Sequence, residues 1–299
     1  MRVVVLGSAA GGGYPQWNCR CPVCTRAWAG DINARPRTQS SVAVSADGER
    51  WLLLNASPDI KQQILATPAL HPRRAGRDSP ITDVVLTNGD VDHVAGLLSL
   101  RERQPFQLLG ATETLAALAA NPIFQVLDPG VVTRRAVALG EPVRTEAGIQ
   151  VTMFAVPGKA PLYLEGPEVE IGRETGEVVG VEVEAGGSRF FYIPGCAAVT
   201  PELERRVSGA PLLLFDGTTY TDDEMPRLGL SHKTAHRMGH LAMSGPGGSV
   251  AAWSHVPIGR RVFVHINNTN PALIDDGPER AQLAAAGWEV AHDGMELTL

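Results

Sequence analysis

The segment Asn18-Cys19-Arg20-Cys21-Pro22-Val23-Cys24 carries three of the four cysteines of the chain. Thiolates are soft ligands, and three of them on one tight loop, stiffened by Pro22, suit a Zn²⁺ ion completed by a fourth ligand from elsewhere. The spacing therefore predicts a structural zinc on Cys19, Cys21 and Cys24, with three reduced, packed thiols as the alternative. A catalytic thiol is less expected, because no base lies beside the loop. The closing ligand is not legible locally; a histidine or polar side chain from the carboxyl-terminal half is required. Cys196 stands alone and is expected to pack in the core.

A second set of ligands follows the apolar run Ile81–Leu86, in Thr87-Asn88-Gly89-Asp90-Val91-Asp92-His93. A strand end that presents Asp90, Asp92 and His93 on one turn offers oxygen and imidazole donors to a divalent metal. The competing fate is that Asp90 or Asp92 only caps the following helix. Met238-Gly239-His240 and the run around His265-Ile266-Asn267-Asn268-Thr269-Asn270-Pro271 each place a histidine at an expected element boundary. His232, His236 and His240 recur every four residues and could share a helix face, although consecutive turns of a solvated helix explain them as well. His71, His255 and His292 have no helpful neighbours.

Short β-branched or aliphatic runs supply the elements that must position these groups. Strands are expected at Arg2–Leu6, Ser41–Val44, Trp51–Leu54, Ile81–Leu86, Phe106–Leu109, Ile149–Val156, Val178–Val183, Phe190–Ile193, Pro211–Phe215, Arg261–Ile266 and the carboxyl terminus. Helical spacing is seen in Ser57–Ala66 (capped by Ser57), Val94–Glu102, Thr112–Ala120, Pro201–Val207, Lys233–Ala242 and Pro278–Ala285. Strands first, then alternation with helices, twice over, predicts an α/β (α+β type) fold: two sheets face to face in a four-layer αββα sandwich. No linker divides the 299 residues, so one domain is expected. A net charge of −6 without a basic run argues against nucleic acid. The apolar run at the amino terminus is too short for a signal peptide or a membrane span, which predicts a cytoplasmic chain.

The Asp90-Val91-Asp92-His93 segment resembles a degraded His-x-His-x-Asp-His signature of metallo-β-lactamase-fold hydrolases, with Asn88 and Asp90 where two histidines would stand. The glycine-rich start, the cysteine clip, Asp216-Gly217-Thr218-Thr219, Met238-Gly239-His240, the His265–Pro271 run and Ala291-His292-Asp293-Gly294-Met295 together resemble the coenzyme PQQ synthesis B family. The carbon-phosphorus lyase pathway phosphodiesterases look similar in fold and clip, but keep two metal ions. Here Pro157-Gly158-Lys159 and Gly195-Cys196 stand about where a histidine and a bridging aspartate would be expected, which argues against an intact dinuclear hydrolase.

The resemblance implies a single metallo-β-lactamase-like domain over 1–299. It implies an active-site metal on Asp92, His93, His240 and His265, with Asp90 and Asp216 as further candidates and Asp90, Asp92 and His93 as catalytic residues. Two histidines and a carboxylate suit Fe(II), or another divalent metal, better than paired zinc. Asn268 is the candidate for closing the zinc clip. The implied function is pyrroloquinoline quinone (PQQ) biosynthesis, through iron- and oxygen-dependent hydroxylation of the tyrosine ring in a cross-linked Glu-Tyr precursor. A carrier of PQQ or its precursor toward the periplasm, and a residual metal-dependent hydrolase or phosphodiesterase, are the alternatives. In the carrier alternative Arg35, Arg37 and Lys159 are candidates to pair with substrate carboxylates, although solvated surface charge is the favoured reading of each. Other PQQ-pathway proteins and a second copy in a homodimer are the implied protein partners.

Overall fold

A computed structural model describes residues 1–299. The first sheet joins β1 (Arg2–Gly7), β2 (Ser41–Ser45), β3 (Trp51–Leu54), β4 (Ile81–Val85), β5 (Phe106–Gly110) and β6 (Val132–Ala136) in chain order. The second joins β7 (Pro142–Arg144), β8 (Gln150–Gly158), β9 (Arg173–Ala185), β10 (Ser188–Ile193), β11 (Leu212–Asp216), β12 (Arg260–Val264) and β13 (Trp288–Val290), also in chain order. The last strand, β14 (Met295–Thr298), returns to pair with β1. Each sheet is antiparallel at one end, through β1–β3 or β7–β10, and parallel at the other, through β3–β6 or β10–β13.

Strand residues alternate between two burials, as a period of two requires. Val3, Val5, Val42 and Leu52 meet Val181, Phe190, Leu214 and Val262 between the sheets. Val4, Leu6, Leu53 and Leu108 lie under the outer helices of the first sheet, and Phe191, Leu213, Phe215 and Phe263 under those of the second. Both faces of both sheets are thus covered, which is the expected four-layer sandwich.

Three expected helices differ. Helix Ile60–Ala66 starts late, because the Ser57 hydroxyl donates to Gln63 Oε1 at 3.1 Å instead of capping. The stretch from Val94 to Glu102 is a four-residue helical turn, Val91–Val94, followed by a 3₁₀ turn, Ala95–Leu98. The backbone there is pinned: Ala56 N–H donates to the His93 carbonyl at 2.8 Å and Gly96 N–H to the Ala56 carbonyl at 2.9 Å. A side chain at Gly96 would strike the Ser57 carbonyl. The Lys233–Ala242 stretch holds only a 3₁₀ turn, His236–Met238, ended by Gly239 at φ 86°. His232 and His236 are exposed, and no continuous helix carries them with His240. Strands β6 and β7 were not anticipated, because each lies at a sheet edge with most of its side chains out of the core.

The parallel halves decide where chemistry can occur. The segments leaving the carboxyl ends of β4, β11 and β12 carry Asn88–His93, Asp216–Thr218 and His265. Isolated bridges tie the His265 segment to the amino-terminal loop, Ala9–Ile266, and the Asn88 segment to β9, Asn88–Val178. No helix is long and apolar enough to cross a membrane.

Candidate metal centre

Asp90 occupies the N-cap of the Val91–Val94 turn, yet its side chain makes no capping bond. The capping alternative therefore fails for Asp90, and its carboxyl belongs to the cavity beyond. His93, on the same turn, is buried, and its Nδ1–H donates to Asn88 Oδ1 at 2.7 Å. An amide oxygen can only accept, so the proton is fixed on Nδ1 and Nε2 presents a lone pair. That Nε2 is buried without a hydrogen-bond partner and lies 3.8 Å from Asp92 Oδ2. Burial pushes His93 down to about 4, keeping it neutral and able to ligate.

His265 follows β12 in a left-handed conformation, φ 56°, a strained backbone for a residue with a side chain. The Thr218 hydroxyl donates to Asp216 Oδ1 at 2.6 Å, so it accepts from His265 Nδ1–H at 2.9 Å. The His265 Nε2 lone pair is then left facing Asp92 Oδ2 at 3.0 Å. Two lone pairs at this separation need a cation between them, a proton or a metal. Metal–ligand bonds of about 2.1 Å at a right angle place donor atoms roughly 3 Å apart. The donor set of Asp92, His93 and His265 fits one divalent ion. Burial opposes charge on Asp92, but His93 and His265 outweigh it and hold this carboxyl below the usual range. Asp90 moves the opposite way, raised by burial and by the neighbouring Asp92.

Asp216 is spoken for by protein donors. Its oxygens accept from Cys196 N at 3.0 Å, Thr218 N at 3.0 Å, Thr218 Oγ1 at 2.6 Å and His240 Nδ1 at 2.7 Å. It holds His240 directly and His265 through Thr218, the outer support that fixes ring orientation at metal sites. The His240 ring stacks on His265, centroids 5.3 Å apart and 24° between planes. Of the six residues expected at the active-site metal, Asp92, His93 and His265 converge. Asp216 and His240 form an adjoining group through His265, and Asp90 joins neither group but lines the same cavity. That cavity, about 280 Å³, is also lined by Lys159 and Lys233. Arg35 and Arg37 are elsewhere, both on Asp275, at 2.6 and 3.7 Å.

Sequence reasoning missed two supports. Asn88 was counted only as a lost ligand and Thr218 only as part of a motif, whereas both fix imidazole tautomers. Asn88→Ala is expected to weaken metal binding at the His93 site about 10- to 100-fold, the usual cost of losing such a partner. Competition against a coloured chelator measures it.

The cysteine clip closes around a short helix. Pro22 opens helix Pro22–Trp28, and Cys21 caps it by accepting from Cys24 N at 3.4 Å. The three sulfurs of Cys19, Cys21 and Cys24 lie within 4.8 Å of one another. Asn268 meets them: its carbonyl is 3.7 Å from Cys21 Sγ and 3.6 Å from Cys24 Sγ, and its Nδ2 donates to Cys24 Sγ at 3.2 Å. The hydrogen bond from Cys21 is the main influence that lowers the Cys24 thiol to about 6. Cys196 is buried, donates to the Ala198 carbonyl at 3.0 Å, and is pushed up by desolvation, so it stays a packed thiol.

A family model described as the beta-lactamase superfamily domain matches residues 50–266. Coenzyme PQQ synthesis protein B of Methylobacterium sp. (strain 4-46) is 61% identical over the whole of both chains. The protein of the same name from Xanthomonas oryzae pv. oryzae is 52% identical, again at full coverage. The crystal structure of Zn(2+)-bound PqqB from Methylobacterium extorquens superposes with a TM-score of 0.98, at 60% identity and 100% coverage of each chain. A diphosphatase from the PhnP family, 21% identical with a TM-score of 0.70 over 100% of this chain and 97% of that one, shares the fold.

Proposed function

Because this chain belongs to the coenzyme PQQ synthesis protein B family, within the beta-lactamase superfamily, we propose that it serves PQQ biosynthesis as a mononuclear iron hydroxylase. The substrate in this reading is the tyrosine ring of a precursor in which Glu and Tyr side chains are cross-linked. Asp92, His93 and His265 hold Fe(II), and Cys19, Cys21 and Cys24 hold a structural zinc. The observation that carries the reading is the unpartnered Nε2 of His93, aimed at Asp92 Oδ2 from 3.8 Å, with His265 Nε2 on the same oxygen at 3.0 Å. An iron ion held by two imidazoles and one carboxylate supplies oxygen activation at its remaining positions.

The chain's own residues do the rest. Asn88 and Thr218 keep the imidazole protons on Nδ1, so that both Nε2 atoms face the ion. Asp90, raised by burial and Asp92, can hold a proton beside the ring that is hydroxylated. Asn268 closes the zinc clip: a half-turn of its side-chain amide puts Oδ1 where Nδ2 now meets Cys24 Sγ.

The overall change replaces a ring C–H by C–OH. One atom of O₂ enters the ring, and the other leaves as water with two electrons from an added reductant. A carrier is the second reading, favoured by the lysines that line the cavity and suit an anionic ligand. Anaerobic addition of the cross-linked Glu-Tyr compound to Fe(II)-loaded protein, followed by a pulse of ¹⁸O₂ with reductant, separates the two. The hydroxylase predicts a labelled hydroxyl on the ring. Tight binding without turnover favours the carrier, and hydrolysis of a model diester that Asp92→Ala abolishes favours a hydrolase.

A further inference from the structure

The two lysines of the metal cavity are not equivalent. Lys159 is tethered: its ammonium pairs with Glu165 at 2.9 Å and donates to the Ala160 carbonyl at 3.1 Å, and Glu165 is bridged in turn to Arg237 at 3.1 Å. Its stem lies against Gly239, where a side chain would come within 3.0 Å of Lys159 Cγ. Lys233 lines the same cavity, partly buried, and its ammonium has neither an ion pair nor a hydrogen bond. Only its backbone is engaged, through N–H donation to Ser231 Oγ at 3.1 Å.

A partly buried lysine that lines a cavity holding metal ligands, and whose ammonium has no carboxylate partner, supplies a cation left for the ligand to neutralise. We infer that Lys233 is the residue that selects the ligand by charge, binding a carboxylate of a polycarboxylate whose other end reaches the metal ligands. Lys159, fixed by Glu165, shapes the wall beside it. The inference rests on the proposed PQQ-pathway ligand, and the test separates the two.

The probe is PQQ itself, a tricarboxylate, titrated into zinc-loaded protein, where no oxygen chemistry intervenes. Inorganic phosphate is the second titrant, since an ammonium takes either anion. Lys233→Gln is expected to weaken PQQ binding about tenfold at unchanged zinc content, and Lys233→Arg to retain it. The loss is also expected to shrink at high salt, as screening predicts. Parent-like PQQ affinity in Lys233→Gln overturns the assignment of Lys233 and leaves the PQQ reading intact. A parent that binds phosphate but not PQQ, with phosphate weakened in Lys233→Gln, keeps the anion site and overturns the PQQ reading. Binding of neither titrant by the parent overturns both.

Discussion

Asp92→Ala is expected to remove iron from the protein while leaving one zinc in place. Asp92 Oδ2 is the only atom of the site that faces both free imidazole nitrogens, His265 Nε2 at 3.0 Å and His93 Nε2 at 3.8 Å. Without it, two neutral rings remain, and the only anionic ligand is lost. Outer partners cost about 10- to 100-fold, so loss of this ligand is expected to cost on the order of 10³-fold or more in metal affinity. Ring hydroxylation should fall with it. The fold should persist, because the only hydrogen-bonding or ionic partners of the Asp92 carboxylate are the two histidines. Mass spectrometry of protein prepared without oxygen and offered Fe(II) reads the outcome: one zinc plus one iron in the parent, zinc alone in the variant.

Cys21→Ser is expected to do the reverse, losing zinc and much of the stability while the folded fraction still binds iron. Cys21 has two duties, as a thiolate candidate and as the cap of helix Pro22–Trp28. The clip also joins the amino-terminal loop to Asn268, just beyond β12 and three residues past His265. Losing a metal tie of this reach in a folded domain is expected to cost at least about 3 kcal/mol. Urea unfolding with zinc counted in parallel measures it. An unchanged midpoint in a zinc-free variant would show that the clip is not a structural tie.

How much of this was visible in the residues follows from how local each feature is. The clip and the Asp90–His93 turn lie within six and four residues, and both were legible because ligand type and spacing carry the chemistry. The sandwich was legible because runs such as Arg2–Leu6 and Trp51–Leu54 are short, apolar and bounded by turn residues. The Lys233–Ala242 helix was misread because periodicity ignores what Gly239 does at φ 86°. Edge strands β6 and β7 lack a continuous apolar face and gave no pattern to find.

The roles of Asn88 and Thr218 depend on tertiary neighbours. Asn88 reaches a histidine on the following turn, but Thr218 serves His265 from 47 residues away. No local motif could announce that Asp216 accepts from four donors and so supports His240 directly and His265 through Thr218. Arg37, read as a ligand-binding candidate from charge alone, is buried against Asp275 and the Ala291 carbonyl.

The central claim is that a single ion sits among Asp92, His93 and His265, apart from the clip. Anomalous diffraction from crystals of the Fe(II)-loaded protein, collected at the iron and zinc edges, tests it most directly. The account predicts one iron peak about 2.1 Å from Asp92 Oδ2, His93 Nε2 and His265 Nε2, and one zinc peak among the three clip sulfurs. A pair of peaks in the cavity, the second bound by Asp216 and His240, would contradict it.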